Sequence, residues 1–245
     1  MAVLKGSFTE KVLWDFYAAA YDNLARYYAP YGRVMDEAQT AVAKDNYMHI
    51  LDAGCGTGEL AIRLLRMGKK MACIDVSSAM LAIFRKKLKK IPGGEQGCFV
   101  RSGDLNENLP YETGSFDAVC SIHALFMLDD KFKALNEFDR VLKPGGRIVI
   151  AHVRPVSISA LLAAELSENG TAAAVKVFFR LFSVGLINIL LSGRHKKVYG
   201  IVPADVIIEH MKALGYITAL QKKMYRGFDD FMVFDKKAEN GQPGR

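Results

Sequence analysis

From residue 47 to residue 153 short apolar runs alternate with stretches of helical spacing, and this alternation restricts the fold more than any other feature. YMHILDAG (47–54) reads as a buried strand ending in glycine, and residues 58–67 follow a helical period. KMACIDV (70–76) is a second strand. Ser77 or Ser78 then caps a helix whose Met80, Leu81, Phe84 and Leu88 share one face. GCFVRSG (97–103) and SFDAVCSI (115–122) are the third and fourth strands. Asp129 or Asp130 caps another helix, with Phe132, Leu135, Phe138 and Leu142 on one side, and Pro144-Gly145-Gly146 ends it and turns into RIVIAHV (147–153). Strands so evenly apolar need cover on both faces, which predicts a parallel α/β sheet. Ligands of such sheets bind beyond the strands' carboxyl ends, so residues 52–58, 75–78, 103–106, 121–124 and 152–154 become the candidates for a site.

The flanks are expected to cover this core. Residues 10–43 read as helical and rich in aromatics, broken in two at Pro30 and Gly32. Residues 155–200 leave the alternation and hold two apolar helical segments, about 156–166 and 171–192, followed by Arg194-His195-Lys196-Lys197. Pro203 opens a helix that closes at Gly215. YITALQKKM (216–224) and DDFMVFDKK (229–237), on either side of Arg226-Gly227, read as an antiparallel pair. The expectation is one domain over 1–245: lid helices at 10–43, a core at 44–153, a helical insert at 154–200, a helix and two strands at 201–237, and a frayed tail at 238–245.

Composition agrees with a globular chain, at 51% apolar and 24% charged residues, and excludes collagen-like, coiled-coil and disordered readings. The four cysteines, at 55, 73, 98 and 120, lie in or beside apolar runs and none is spaced as C-x-x-C. Reduced, buried thiols, no metal site and a cytoplasmic location are the expectation. The start lacks the apolar core of a secretory signal, and no uncharged apolar run is long enough to span a membrane. An excess of 33 Lys and Arg over 26 Asp and Glu gives +7, a charge that suits nucleic acid, an anionic membrane, an acidic substrate or solubility alone.

The strongest local signal is LDAGCGTGEL (51–60). A strand delivers Asp52, Gly54, Gly56 and Gly58 follow at alternate positions, and a helix begins. Glycine lets backbone approach a ligand closely, and a helix N-terminus offers unpaired N–H groups. The spacing is G-x-G-x-G rather than the dinucleotide G-x-G-x-x-G. Asp75 ends the next strand, where a carboxylate can accept from both hydroxyls of a ribose. Gly103-Asp104-Leu105 follows the third strand, where a carboxylate can accept from an exocyclic amine such as that of adenine. A lone aspartate after a strand is usually a helix cap, but three at consecutive strand ends beside a glycine loop point to a ligand.

At these residues the chain resembles the class I S-adenosylmethionine-dependent methyltransferases of the ubiquinone/menaquinone-methyltransferase-like type. The resemblance is carried by LDAGCGTGELAIRLL (51–65), CIDVSSAML (73–81), SGDLNENLPYETGSFDAVCS (102–121) and LNEFDRVLKPGGRIVIAHV (135–153), with FYAAAYDNLARYY (16–28) similar to the leading helix. It implies a Rossmann-like, doubly wound α/β sheet of seven strands, mostly parallel with an antiparallel last strand, plus a helical cap. It also implies the cofactor S-adenosyl-L-methionine and the product S-adenosyl-L-homocysteine. Carried over residue by residue, Asp52 and the backbone of Gly54, Cys55, Gly56, Thr57 and Gly58 would hold the methionine part. Asp75 would bind the ribose, with Val76 and Met80 near adenine. Gly103, Asp104 and Leu105 would meet the adenine, Ser121 would lie beside the methionine part, and Tyr17 and Tyr21 would close over it.

Two histidines, His123 after strand four and His152 at the end of strand five, titrate in the range of a general base, against the reading of structural histidines. Tyr21 joins them as a catalytic candidate through the attraction of its ring for a sulfonium, against simple lid packing. In segment 171–193 a narrow polar stripe of Lys176, Arg180, Ser183 and Asn188 interrupts apolar residues, which include Phe178, Phe179 and Phe182. That segment is a lid packed on the core, a wall for a lipophilic acceptor, a peripheral membrane contact over 171–197 at the inner membrane face, or a homodimer face. Lysines 86–90 read as a solvated helix face. The expected activity is methyl transfer to a small or lipophilic organic acceptor, at oxygen ahead of nitrogen or carbon. An RNA methyltransferase and a catalytically silent cofactor-binding module are the competing readings, and nucleic acid is not expected as a partner.

Overall fold

The alternation is present in the structure. In chain order the elements are α1 (Ala29–Ala43), β1 (His49–Ala53), α2 (Glu59–Arg66), β2 (Lys70–Asp75), α3 (Ser78–Leu88), the short α4 (Gly94–Gly97), β3 (Cys98–Ser102) and β4 (Phe116–Ile122). A 3-10 turn at Leu125–Met127, α5 (Lys131–Val141), β5 (Leu142–Val153), α6 (Ala204–Ala213), β6 (Tyr216–Met224) and β7 (Asp229–Lys236) complete it. This computed structural model describes residues 18, 21–22, 29–43, 47–153, 159, 162–163, 165–167, 169–172, 174–176, 178–179, 202–224 and 227–238. The anticipated caps form: the Ser77 side chain accepts from Met80 N, and Asp130 accepts from Lys133 N.

One sheet runs β3-β2-β1-β4-β5-β7-β6. Its first five strands are parallel, and β7 is antiparallel to both of its neighbours. This is the Rossmann-like, mostly parallel seven-stranded sheet expected. The order reverses between β1 and β4, so the loops leaving those strands part and open a crevice at their carboxyl ends.

Side chains alternate across the sheet with period two and feed a core on each face. Ile50, Cys73, Ala118, Cys120, Val149 and Ala151 pack with Val34 and Ala38 of α1, Leu64 of α2 and Phe84 of α3. Leu51, Ile74, Val119, Ile148 and Ile150 pack on the opposite face with Leu135 and Phe138 of α5 and Ile207 and Met211 of α6.

Two expectations need correction. Gly32 does not break the N-terminal helical stretch: it lies inside α1, and Pro30 sits in that helix's first turn, where a missing N–H costs nothing. Pro144-Gly145-Gly146 does not end a helix. Helix α5 stops at Val141, Leu142 already pairs with Phe116, and the register shifts before Ala118 pairs with Arg147. The triplet is thus an irregularity within β5, with Gly145 at φ 76. A Cβ on Gly146 would stand 2.7 Å from Leu142 and 2.8 Å from the Asp117 carbonyl oxygen. Gly146→Ala is therefore expected to lower the free energy of urea unfolding by about 1–3 kcal/mol. An unchanged midpoint and slope would contradict this account of the bulge.

Candidate active site

Strand β1 carries Asp52 to the edge of the crevice, and the glycine loop follows. Gly54 N and Cys55 N both donate to the Ile74 carbonyl, at 2.8 and 3.1 Å, which ties the loop to β2. Gly54, Gly56 and Gly58 have φ of 81, 52 and 80, a region that costs side-chain-bearing residues. Their surroundings differ. A Cβ on Gly54 would lie 2.2 Å from Ala124 Cβ, and one on Gly58 would lie 2.1 Å from the Phe84 ring, so those two permit packing. At Gly56 the nearest atom is Tyr21 Cε1, at 3.9 Å. Its bare Cα leaves open space under a tyrosine ring, a cradle rather than a packing contact.

Asp75 shapes that cradle. Its Oδ2 accepts from Gly56 N and its Oδ1 from Ser77 N, both at 2.8 Å. Burial holds its carboxyl above the ordinary range, although the N–H groups of Ser77, Gly56 and Val76 pull the other way. A carboxylate offers about four lone-pair positions, so acceptor capacity remains for a ligand hydroxyl.

Asp52 is different. It is only 3% exposed, and its Oδ2 has no hydrogen-bond partner. Burial, and then the charge of Asp75, push its carboxyl up to about 7 against a backbone hydrogen bond from Ala61 that lowers it. A buried carboxyl at the rim of an open cavity is an unmet demand for a cation or donor.

Residues from before β1 close over the loop. Tyr21, Tyr31 and Met35 line the cavity with Asp52, the loop from Gly54 to Thr57, Glu59 and Leu60 of α2, and Ile122 of β4. The Tyr21 and Tyr31 hydroxyls are 3.3 Å apart and their rings meet edge to face. Next to Tyr21, Asp22 accepts from Thr57 Oγ1 at 2.8 Å and pairs with Lys87, which also donates to Thr57 Oγ1 at 3.2 Å. Lys87 is thus not part of a solvated face as the sequence suggested: its side chain is 16% exposed and joins α3 to the segment over the loop.

The two histidines separate. His123 follows β4 at φ 56, the one positive-φ residue other than glycine among those described, and such a conformation costs roughly 1–2 kcal/mol. Its Nε2 pairs with Asp229 Oδ2, and its ring lies 5.4 Å from that of Tyr31, which lines the cavity. His152 is 1% exposed and shares a sheet face with Ile148 and Ile150, away from Asp52. Burial lowers its pKa against the Val202 backbone and the charges of Asp229 and Asp230, and neither ring nitrogen makes a hydrogen bond of normal geometry. Ser121 faces the same way as His152, fully buried, with its Oγ unpartnered.

Of the remaining sequence candidates, Val76 is exposed just after β2, and Met80 and Leu105 are buried. A Cβ on Gly103 would lie 2.5 Å from Ile74. Asp104 closes a turn, its Oδ1 accepting from Asn106 N and Nδ2 at 2.9 Å. Phe178 and Phe179 are 40% and 65% exposed, pack edge to face on one another and do not line this cavity. Tyr17 and Phe182 lie outside the described residues. Sequence reasoning did not pick out Tyr31, Asp22, Lys87 or Asp229. Tyr31 stood in a noted aromatic run, and Asp229 opens the DDF of the last strand, but neither position shows its partner in one dimension.

Comparison with known proteins agrees with this geometry. Residues 51–150 match the methyltransferase domain family. A demethylmenaquinone methyltransferase of Leptospira interrogans is 35% identical over 102 residues, which are 41% of this chain and 41% of that protein. An O-methyltransferase of Aspergillus sclerotiorum is 30% identical over 126 residues, 49% of this chain and 45% of that one. The chain thus matches less than half the length of these relatives. The solved structure of magnesium protoporphyrin IX methyltransferase from Synechocystis, with bound S-adenosylhomocysteine, superposes with a TM-score of 0.61 at 14% identity over 96% of this chain and 90% of that one. The likeness to that structure is one of fold. Among the described residues, no helix is long and apolar enough to cross a membrane, and no cluster of His, Cys, Asp and Glu is arranged to hold a metal ion.

The domain's buried Asp52 makes stability depend on pH in an unusual direction. Its carboxyl ionises near 4 in the unfolded chain but at about 7 in the folded one. Between those values the folded state binds more protons, so this group's contribution to stability falls as pH rises from 4 to 7. Asp52→Asn is expected to raise the melting temperature at pH 8 and to leave it nearly unchanged at pH 4. Equal effects at both pH values would contradict the assignment.

Proposed function

We propose that the chain binds S-adenosylmethionine in the β1–β4 crevice and transfers its methyl group to a small or lipophilic organic acceptor, at an oxygen atom. The observation that carries this reading is the unpartnered, buried Asp52 Oδ2 beside the open cradle at Gly56, within a stretch that matches the methyltransferase domain family. The cofactor supplies, when bound, a methyl group already activated by its positive sulfonium. The protein's own work is to bind, orient and exclude water.

In this reading Asp52 meets the ammonium of the methionine part, and the backbone from Gly54 to Gly58 cradles it. Asp75 accepts from the ribose hydroxyls with its remaining lone pairs. Val76, Met80, Gly103, Asp104 and Leu105 border the adenine. Tyr21, with Tyr31 behind it, covers the sulfonium side, where a ring face attracts a cation. The parallel strands of the core are completed by β7 and β6. Exposed Phe178 and Phe179 and the quinone methylation named for the Leptospira relative support a lipophilic acceptor. A cytoplasmic protein touching the inner membrane face through 171–197 would meet such an acceptor.

The test is release of S-adenosylhomocysteine from S-adenosylmethionine on adding 1,4-dihydroxynaphthalene or a cell lipid extract, with cofactor affinity read by calorimetry. Asp75→Ala removes acceptors worth about 1.5–3 kcal/mol and is expected to raise the cofactor's Kd roughly ten- to a hundredfold. No binding by the wild type, or unchanged affinity in the folded variant, would contradict the reading.

A further inference from the structure

Lys87 stands apart from the cations around it. Arg85, Lys86, Lys89 and Lys90 are exposed at the end of α3, whereas Lys87 turns inward to the glycine loop. Its Nζ pairs with Asp22 Oδ1 and donates to Thr57 Oγ1 at 3.2 Å, and Thr57 Oγ1 donates to the same Asp22 oxygen at 2.8 Å. Three groups from three separate stretches of chain thus close one polar triangle. Two of them are tied to the cavity wall: Asp22 follows Tyr21, which lies over the cradle at Gly56, and Thr57 lines the cavity itself. Phe84, one turn before Lys87, packs against Gly58. Helix α3 therefore holds the loop at one point with an aromatic ring and at another with an ammonium.

We propose that Lys87 is a positioning residue for the cofactor: it clamps Tyr21 to the glycine loop through Asp22, and opening of this clamp sets the rate at which cofactor and product leave. This rests on the cofactor-binding reading above. The space at Gly56 is bounded by the Tyr21 ring, so a ligand seated there exchanges when that ring gives way. The clamp is suited to opening. Its ammonium, carboxylate and hydroxyl satisfy one another when it is shut, and water hydrates all three when it opens, so neither state strands a polar group. An apolar seam would lose its burial at every opening. Opening leaves the fold intact, because α1 is held independently: Val34, Met35, Ala38 and Val42 lie in the core, and Arg63 of α2 bridges Glu59 and Asp36.

Linkage gives the clamp a second property. A closed clamp that holds the cofactor more tightly than an open one is itself held shut by bound cofactor, and by the same factor.

Two measurements test this. The first follows release of labelled S-adenosylhomocysteine into an excess of unlabelled ligand, with Kd from calorimetry. Lys87→Met keeps the length of the stem, removes the ammonium, and is expected to raise koff and Kd about tenfold. Asp22→Asn should act in the same direction, and Lys86→Met, at the exposed neighbour, should change neither. Tyr21→Ala separates positioning from a merely structural role. In that background the ring is gone, and Lys87→Met is expected to change koff by less than about twofold. A wild-type koff in Lys87→Met, or an effect of full size that persists without Tyr21, overturns the proposal.

The second needs no variant. Acetylation of the wild type by acetic anhydride is read lysine by lysine by mass spectrometry, with and without S-adenosylhomocysteine. Lys87 should react more slowly than Lys86, and saturating ligand should slow it about tenfold further while Lys86, Lys89 and Lys90 keep their rates. Labelling of Lys87 that is indifferent to the ligand overturns the proposal even where a variant fails to fold. Failure of the wild type to bind S-adenosylhomocysteine would instead remove the underlying cofactor-binding reading, which distinguishes the two failures.

Discussion

Two carboxylates at neighbouring strand ends govern this crevice, and they are satisfied unequally. Asp75 spends one lone pair of each oxygen on backbone N–H groups and so draws Gly56 toward β2. Asp52, one strand over and buried, has an oxygen with no partner. The first builds the loop and the second leaves it electrostatically incomplete. Leaving a buried polar atom unpaired costs about 1–3 kcal/mol, a cost that a cationic ligand can offset.

The sheet makes the arrangement affordable. Reversal of strand order between β1 and β4 parts the loops, while packing of Phe84 under Gly58 and Ala124 against Gly54 holds the loop ends close. The antiparallel return of β7 delivers Asp229 to His123, after β4, from more than a hundred residues away. Above the loop, Asp22, Thr57 and Lys87 join the segment bearing Tyr21 to both the loop and α3. The cradle is thus closed by polar contacts, which can exchange with water more readily than an apolar seam.

Much of this was legible in one dimension. Each strand of the parallel core is an apolar run with a polar boundary, and Ser77 and Asp130 cap as their side chains dictate, so local chemistry and tertiary structure agree. Asp52, Asp75 and the three glycines were legible because strand ends in a parallel sheet converge on one edge. What could not be read depends on pairing at long separation. Lys87 looks like its solvated neighbours until Asp22 is brought to it, and His123 and His152 look equivalent until β5's alternation turns one of them to the other face. Pro144-Gly145-Gly146 reads as a helix stop because the bulge it makes is defined only by its partner strand.

The central claim is that Asp52 awaits a positive ligand, and proton linkage tests it most directly. At pH 6 the free protein holds this carboxyl mostly protonated, since it titrates at about 7. A bound ammonium or sulfonium favours the charged form, so S-adenosylmethionine binding should expel a proton. Calorimetric titration at pH 6 in buffers of different ionisation enthalpy should report release of about one proton per cofactor bound, and Asp52→Asn should abolish it. Binding with no proton exchanged in the wild type would contradict the account.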